Sequence, residues 1–289
     1  MNTAVPAPVT SLIRGTNESA PLTMPQVGLG TYKVDVDQAE RVVADALAVG
    51  YRHIDTAQMY GNEAGVGAAI AASGIPRDRL WVTSKLDNPN HRRDDALRSF
   101  DATMRDLRLD VLDLFLVHWP LADSPGIDLV DTWRTMIEIL ESGRVRAIGV
   151  SNFLEGDLQN ILNHCEVKPA VDQLLAHIGN TPFELAAFCE NNDILVEAYS
   201  PIAHGEADKI GAIVKMAERY DVSVAQLCIR YVLQLGMVAL PKTANLEHMR
   251  SNADVDFEIS AQDMETLRGV ERISDYGDSS FFPVFGGKL

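Results

Sequence analysis

Two kinds of pattern alternate along this chain and restrict the folds open to it. Short apolar runs rich in β-branched residues predict buried strands, and longer segments with apolar residues three and four apart predict amphipathic helices. Such alternation requires parallel strands with the helices as crossovers. The eight predicted strands are Gln26 to Gly30, Arg52 to Asp55, Leu80 to Ser84, Leu112 to His118, Ala147 to Ser151, Ala170 to Gln173, Leu195 to Tyr199 and Met237 to Leu240. Helical patterns include Val36 to Ala48, Asp94 to Leu107, Leu129 to Glu141 and Asp208 to Tyr220.

Length selects between the architectures built in this way. Eight strand–helix units within about 250 residues have the size of a closed (β/α)8 barrel, and the chain has 289 residues. We therefore expect the α/β class, with one (β/α)8 TIM barrel domain over residues 1–289 and a doubly wound sheet as the alternative. Residues 1–25 predict an N-terminal hairpin across the bottom of the barrel. The tail, residues 274–289, lacks a helical period and is predicted to be a loop over the active site.

Composition excludes several classes of partner. The formal net charge of -16 argues against nucleic acid and anionic membranes, because both bind positively charged surfaces. No apolar run approaches the roughly 20 residues that span a bilayer, and no basic segment precedes an apolar one at the N-terminus. The three cysteines, Cys165, Cys189 and Cys228, lack the spacing of a metal site. These features predict a cytoplasmic protein with reduced thiols and no bound metal.

Polar residues stand where the predicted strands end. In a TIM barrel the C-terminal ends of all strands meet at one mouth, where active sites assemble. The residues at these ends are Asp55, Lys85, His118, Ser151, Asn152, Gln173, Tyr199 and Lys242. Ionisable and polar groups delivered to one rim by nearly every strand predict an enzyme.

Six short motifs occur in one order along the chain. They are Asp55-Thr56-Ala57 through Tyr60-Gly61-Asn62-Glu63, Thr83-Ser84-Lys85-Leu86, Leu116-Val117-His118-Trp119-Pro120, Gly149-Val150-Ser151-Asn152-Phe153, Ala198-Tyr199-Ser200-Pro201 and Leu240-Pro241-Lys242-Thr243. With these motifs the sequence resembles the aldo-keto reductase family, and within it the bacterial diketogluconate reductase-like members. The resemblance runs roughly from Val27 to Asn252 and implies a barrel that binds NADP(H) without a Rossmann domain. Consistently, no complete glycine fingerprint for a dinucleotide is present.

Carbonyl reduction makes demands that four of these residues can meet. Hydride addition leaves an alkoxide, so the site needs a proton donor and groups that stabilise negative charge. Tyr60 is the candidate donor, and Lys85 is expected to lower the pKa of its phenol from about 10. Asp55 would keep Lys85 charged, and a neutral His118 would orient the substrate carbonyl. The resemblance assigns the same four residues as the catalytic tetrad.

Each of the four also has a structural interpretation when it is taken alone. Asp55 could cap a helix, Tyr60 could be a boundary residue, Lys85 could be an exposed strand-end lysine, and His118 could belong to the core. Two other functions remain open. A Schiff-base aldolase also places a lysine inside a barrel, and a non-catalytic relative could bind the cofactor without reducing anything.

Cofactor contacts are expected along the rim. The face of Tyr199 could stack on nicotinamide while Ser151, Asn152 and Gln173 hold its carboxamide, and the resemblance assigns these roles. Tyr199 as core and Asn152 as a helix cap are the competing readings. Lys242, Thr243 and Asn245 lie where a strand gives way to a helix, which suits a phosphate. The full predicted set is Ser151, Asn152, Gln173, Tyr199, Ser200, Lys242, Thr243, Asn245, His248 and Asn252.

One position departs from the family pattern. His248 stands where many family members carry an arginine that contacts adenine and the 2′-phosphate of NADP. Ser251 likewise replaces the usual acidic adenine contact, although Asn252 matches. A neutral imidazole cannot make a bidentate phosphate contact, and Arg250 faces another side of a helix. The sequence therefore predicts NADP(H) as cofactor, with a weakened preference and usable NAD(H).

Substrate positions follow from the resemblance alone. It implies that Tyr32, Met59, Asp87 and Trp119 wall the pocket, with Phe282 and its neighbours Phe281 and Phe285 forming a lid. Asp87 could make the pocket more polar or could simply face solvent, and the aromatic tail could simply seal the barrel. Bacterial relatives of this type reduce diketo acids, methylglyoxal and other aldehydes or ketones. We expect a small-molecule carbonyl substrate and a monomer or weak dimer.

Overall fold

The computed structural model describes residues 10–13, 22–121 and 126–276, with side chains in the second and third ranges. Its strands are β1 (Thr10–Ile13), β2 (Leu22–Pro25), β3 (Leu29–Gly30), β4 (His53–Asp55), β5 (Trp81–Leu86), β6 (Leu112–Val117), β7 (Val145–Ser151), β8 (Val171–Leu175), β9 (Leu195–Tyr199) and β10 (Val238–Leu240). The α-helices are α1 (Ala39–Val49), α2 (Glu63–Ala72), α3 (Arg93–Leu107), α4 (Leu129–Glu141), α5 (Glu155–His164), α6 (Phe183–Asn191), α7 (Gly211–Arg219), α8 (Val224–Gln234), α9 (Leu246–Ala253) and α10 (Ala261–Arg268).

Eight parallel strands, β3 to β10, pair in sequence order and form a barrel. The first and last strands meet through a parallel bridge between Val27 and Ala239, with Gly28 N donating to Ala239 O at 2.9 Å. Helices lie between consecutive strands, as right-handed parallel crossovers require. The predicted (β/α)8 barrel is confirmed, and the doubly wound alternative is wrong.

The barrel has an apolar filling inside and a larger apolar layer outside. The interior cluster contains Trp81, Leu114, Leu116, Val171 and Leu240, among others. The outer layer packs the helices onto the opposite strand faces. Because side chains alternate across a strand, each buried strand contributes to both layers. Gly149 permits the close approach of two strands, since a Cβ there would lie 2.6 Å from Val171 O.

Both chain ends bear on predictions. β1 pairs with β2 in antiparallel register from Thr10↔Pro25 to Ile13↔Leu22, and Leu22 and Met24 enter the interior cluster. The two strands of the predicted hairpin are thus present, while its turn lies outside the described residues. At the other end Ile273 and Tyr276 pack against Ala203. The tail from residue 277 onward, with Phe281, Phe282 and Phe285, also lies outside the described residues.

Two helix boundaries differ from the prediction. The first helix begins at Ala39 rather than Val36, because the preceding residues form turns, with Val36 exposed. The pattern from Asp208 to Tyr220 covers the end of a 3-10 segment, Ala203–Lys209, and helix α7. An extended Ile210 (φ -95°, ψ 106°) separates the two. Among the described residues, no helix has both the length and the apolar character needed to cross a membrane.

Candidate active site

A cavity of about 380 Å³ opens at the C-terminal ends of the barrel strands. It brings together most of the residues predicted from the strand ends, as well as loop residues on both sides. The lining residues are Gly30, Tyr32, Lys33, Asp55, Met59, Tyr60, His118, Trp119, Ser151, Asn152, Gln173, Tyr199, Ser200, Pro201, Ile202, His204, Gly205, Leu240, Pro241 and Lys242. This shared lining makes the strand-end mouth the candidate active site.

A buried ion pair lies at the floor of this cavity. Lys85, on β5, donates from Nζ to Asp55 Oδ1 at 2.7 Å and to Oδ2 at 2.8 Å, and its side chain is 1% exposed. A third contact, at 3.0 Å, goes to the carbonyl oxygen of Thr56. The three N–H bonds of the ammonium therefore all have acceptors. Asp55 is a partner of Lys85 rather than a helix cap, and Lys85 is not an exposed strand-end lysine.

Tyr60 is held over this pair by a short 3-10 turn, Gln58–Tyr60. The Lys85 ammonium lies 5.3 Å from the centroid of its ring, within the range of a cation–π contact. Burial, followed by the negative charge of Asp55, raises the pKa of the Tyr60 phenol well above its ordinary value. The net direction is opposite to the lowering expected from Lys85, because burial and the charge of Asp55 dominate in the protein without ligand.

His118 follows β6 on the other side of Tyr60. Its ring stands edge-on to the Tyr60 ring, with 5.8 Å between centroids. Burial, together with the positive charge of Lys85, lowers the pKa of His118 to about 3. The imidazole is thus neutral at physiological pH, as predicted. Its Nδ1 makes no hydrogen bond to any residue that the structure describes.

The wall next to β7 to β9 is tightly hydrogen-bonded. Asn152 adopts a left-handed conformation (φ 63°), and its Nδ2 donates to His118 O and Ser151 Oγ. Tyr199 OH donates to Asn152 Oδ1 at 2.7 Å, while Ser151 Oγ donates to Gln173 O at 2.9 Å. Asn152 is therefore not a helix cap. A non-glycine residue held in this backbone region is commonly found at functional sites.

One side of the rim is basic. Lys33, His204 and Lys242 come from three separate loops and line the same cavity. Burial, followed by the charges of Lys33 and Lys242, lowers the pKa of His204. Sequence reasoning identified only Lys242 of the three. The other two lie in loops without regular periodicity, so no sequence signal placed them at the cavity.

Four predicted cofactor residues lie beyond the cavity lining, near α9. Asn245 caps this helix, with its Oδ1 accepting from the backbone N–H groups of Glu247 and His248. His248 is exposed, and Asn252 is buried. Thr243 Oγ1 accepts from Asn245 N at 3.1 Å. These residues sit in the strand-to-helix connection where the sequence predicted them, and their cofactor roles remain predictions.

Of the predicted substrate residues that the structure describes, three line the cavity and one does not. Tyr32, Met59 and Trp119 line the cavity, and the Tyr32 ring lies 5.2 Å from that of Tyr60. Asp87 lies away from the lining, where its carboxylate accepts from Asn88 N and caps a 3-10 turn. Asp87 turns away from the cavity because its carboxylate satisfies a backbone N–H of the adjacent turn.

Comparison with known proteins identifies the family to which a chain with this site belongs. A sequence profile described as the aldo/keto reductase family matches residues 24–272. The chain belongs to the aldo/keto reductase family. It is 39% identical to a glyoxal reductase of Bacillus subtilis over 264 residues, covering 90% of this chain and 94% of the relative. An aldo-keto reductase of Mycolicibacterium smegmatis is 40% identical, covering 86% of this chain and 90% of the relative.

The fold agrees with this membership. An aldo-keto reductase of Bombyx mori, solved in complex with NADP, superposes with a TM-score of 0.83 at 30% identity, covering 94% of this chain and 96% of the relative. Membership in the aldo/keto reductase family confirms the prediction of an NAD(P)H-dependent oxidoreductase. Its substrate is a small-molecule carbonyl compound.

Proposed function

We propose that this aldo-keto reductase reduces an aldehyde or ketone to an alcohol with NADPH, and that Tyr60 donates the proton. The observation that carries the proposal is the joint placement of four groups at one cavity floor. The Asp55–Lys85 pair lies beneath the Tyr60 ring, and neutral His118 lies beside it. Amide, hydroxyl and aromatic groups on the adjacent wall suit a nicotinamide ring and its carboxamide.

The proton step follows from the state of Tyr60. When bound, the cofactor supplies a hydride to the carbonyl carbon, and the carbonyl π electrons become a lone pair on oxygen. Tyr60 holds its proton at neutral pH, because burial raises the pKa of its phenol. It can therefore give that proton to the new alkoxide, and the resulting phenolate is stabilised by the nearby Lys85 ammonium. The phenolate regains a proton from solvent and becomes a phenol again before the next turnover.

His118 is suited to orient the substrate. A neutral imidazole can donate one hydrogen bond to a carbonyl oxygen without adding charge to the site. The Nδ1 atom is buried and has no partner among the described residues, so the ring retains hydrogen-bonding capacity. The low pKa of His118, about 3, argues against this residue as the principal acid. We assign it to orientation and assign proton donation to Tyr60.

The aldolase alternative fits the floor less well. A Schiff-base lysine must lose its proton to attack a carbonyl. Lys85 instead contacts both oxygens of Asp55 and the carbonyl oxygen of Thr56, which favours the charged ammonium. An imine would break at least two of these contacts, because even its protonated form keeps a single N–H. The geometry therefore supports proton transfer and electrostatic stabilisation rather than covalent catalysis by Lys85.

The cavity also fits the charge of a nicotinamide cofactor. Its basic side has Lys33 and Lys242 as a local positive region in a chain of formal net charge -16, with the His204 imidazole as a further polar group. We assign these residues to the cofactor phosphates, with Ser151, Asn152 and Gln173 assigned to the carboxamide. The exposed His248 supports use of NADH as well as NADPH, because an imidazole gives no bidentate phosphate contact.

For the substrate we favour small aldehydes and dicarbonyl compounds, including glyoxal. The cavity of about 380 Å³ must admit the nicotinamide end of the cofactor as well as the substrate, and the Bacillus subtilis relative carries the name glyoxal reductase. The test is a panel of glyoxal, methylglyoxal, diketo acids and aromatic aldehydes, each assayed with NADPH and NADH by loss of reduced nicotinamide absorbance. Turnover of small carbonyls is expected. Cofactor binding without turnover of any carbonyl would favour the non-catalytic alternative and overturn the proposal.

A further inference from the structure

Below the cavity, the barrel interior contains a buried acid that the proposed chemistry does not use. Glu197, in the middle of β9, is 0% exposed. It shares the inward face of its strand with Tyr199, because side chains alternate along a strand. The Oε2 atom of Glu197 accepts a hydrogen bond of 2.8 Å from Gln173 Nε2. Burying a carboxyl group costs free energy, which its hydrogen bonds offset only in part. A role in the structure would explain why Glu197 stands here.

Gln173 joins this acid to the catalytic floor. The same Nε2 atom that contacts Glu197 also donates to Asp55 Oδ2 at 2.8 Å. Since Asp55 is paired with Lys85, its oxygens act as acceptors, and the amide of Gln173 must turn its NH2 group toward them. Both N–H bonds of the amide are then used, one by each acid. Neither contact uses the amide oxygen Oε1, although Gln173 lines the cavity.

We propose that Glu197 is a positioning residue that fixes the Gln173 amide so that Oε1 is presented to the nicotinamide carboxamide as a hydrogen-bond acceptor. With Glu197 and Asp55 as its two acceptors, the amide cannot rotate without breaking one of two buried hydrogen bonds. The arrangement connects the catalytic acid Asp55 to the wall that would hold the cofactor. This role rests on the proposed function, because it takes nicotinamide as the ligand of that wall.

The surroundings of Glu197 explain how two acids can share one amide. Burial, followed by the charge of Asp55, raises the pKa of Glu197 to about 8, so the acid is largely protonated at neutral pH. His53 on β4 faces it, with 3.7 Å between His53 Nε2 and Glu197 Oε1. Burial lowers the pKa of His53 to about 4. The Asp55–Lys85 pair acts on Glu197 in opposite directions, since the Asp55 charge raises its pKa and the Lys85 charge lowers it.

The test compares two ligands in a binding assay, independently of turnover. NADP⁺ carries a carboxamide with N–H donors, whereas its 3-acetylpyridine analogue carries a methyl ketone without them. Glu197→Met should weaken NADP⁺ binding about tenfold, the scale of one hydrogen bond, and should change the dissociation constant of the analogue less than about twofold. Glu197→Gln should restore NADP⁺ binding to within about twofold of the wild type, since its amide oxygen can accept from Gln173.

Two further variants control for general damage. Glu63→Met removes another buried glutamate, which accepts from Ser84 and Thr103 rather than from Gln173, and it should affect both ligands equally. Gln173→Met should weaken NADP⁺ as much as Glu197→Met does, and combining the two should add nothing, because both act through one contact. Glu197→Ala serves as the alternative if the methionine variant does not fold.

The outcomes separate this inference from the proposed function. Equal weakening of both ligands by Glu197→Met, or no weakening of either, would overturn the positioning role. Additive losses in the double variant would do the same. A wild type that binds NADP⁺ but reduces no carbonyl would count against the proposed function, while the ratio of dissociation constants would still decide the role of Glu197. Failure of the wild type to bind NADP⁺ would overturn both.

Discussion

The floor and the rim of the cavity differ in how their polar groups are held. On the floor, Lys85 and Asp55 are buried and bonded to each other and to neighbouring polar groups. On the rim and beyond it, Met59, Lys242 and His248 are exposed. A group whose partners are fixed can set a reaction but adapts poorly to a new ligand, whereas an exposed side chain can be replaced at little cost in stability. The difference indicates that the floor determines the chemistry and the rim selects the ligands.

The largest expected effect comes from removing the proton donor on the floor. Tyr60→Phe keeps the ring over Lys85 but deletes the hydroxyl, so kcat should fall by about 10²–10⁴-fold, the usual scale for a general acid. The dissociation constant of NADP⁺ should stay within about threefold of the wild-type value, because the floor does not select the ligand. Steady-state kinetics and a fluorescence titration measure the two quantities. A variant with near-normal kcat would show that another group donates the proton.

Removing the cation on the floor should damage both activity and stability. Lys85→Met leaves Asp55 buried without its charged partner, which costs about 3–5 kcal/mol in the free energy of unfolding. The matched control is Lys209→Met, which removes an exposed lysine paired with half-buried Glu206 and should cost far less, because solvent screens a pair at the surface. Urea denaturation compares the two variants. Equal losses would contradict the distinction between buried and exposed pairs.

The sequence predicted the floor better than the rim, for a physical reason. Asp55, Lys85 and His118 lie at or beside strand ends, and barrel geometry brings strand ends together whatever the loops do. Lys33 and His204 reach the cavity from irregular loops whose course depends on tertiary packing, so their positions could not be read from periodicity. The direction of Asp87 depends on a local turn, which supports the solvent-facing alternative, and its substrate contact stays a prediction.

Glu197 was missed although a signal for it existed. Alternation along Leu195–Tyr199 places residue 197 on the same face as Tyr199. The strand prediction was correct at both ends, and the polar residue in its middle should have been identified as a member of the barrel interior. The pKa of Tyr60 could not be predicted because it depends first on how deeply the folded site buries the phenol and then on the nearby charge of Asp55.

Asp172, a buried acid outside the cavity, tests whether burial without a charged partner raises the pKa of a carboxyl group. Asp172 is adjacent to Gln173 on β8 and is 0% exposed, and among the described residues neither carboxyl oxygen has a hydrogen bond of ordinary geometry, although the backbone N–H of Phe153 lies close enough to interact with the carboxyl group. Burial, followed by the charge of Asp157, raises the pKa of Asp172 well above its ordinary value, with an opposing contribution from the backbone N–H of Phe153. The folded state therefore holds a proton that the unfolded chain releases.

The sign of the pH effect follows from that difference. The stability that protonated Asp172 contributes is complete below the unfolded pKa, about 3.9, and is lost as pH rises toward the folded pKa. The free energy of unfolding of Asp172→Asn, relative to wild type, should therefore increase as pH rises through this window. Urea denaturation at a series of pH values upward from about 4, the unfolded pKa, measures the difference. A difference independent of pH would contradict the raised pKa.

The smallest effect is expected beyond the rim. His248→Arg supplies a fork that can bind a 2′-phosphate in two hydrogen bonds, so the ratio of kcat/KM for NADPH over NADH should rise about tenfold. The turnover number with NADPH should change little, because residue 248 is exposed on α9, away from the floor. If the wild type already prefers NADPH over NADH by as large a kcat/KM ratio as an arginine-bearing relative, the predicted use of NADH would be refuted.

The most direct measurement is the mass of the alcohol formed from an aldehyde when the reduced cofactor carries deuterium at its transferable position. Carbonyl reduction in this cavity predicts one deuterium on the former carbonyl carbon of the product. With Tyr60→Phe the same labelled alcohol should form far more slowly. An alcohol without deuterium, or an aldehyde adduct retained on Lys85 after borohydride treatment, would contradict reduction at this site.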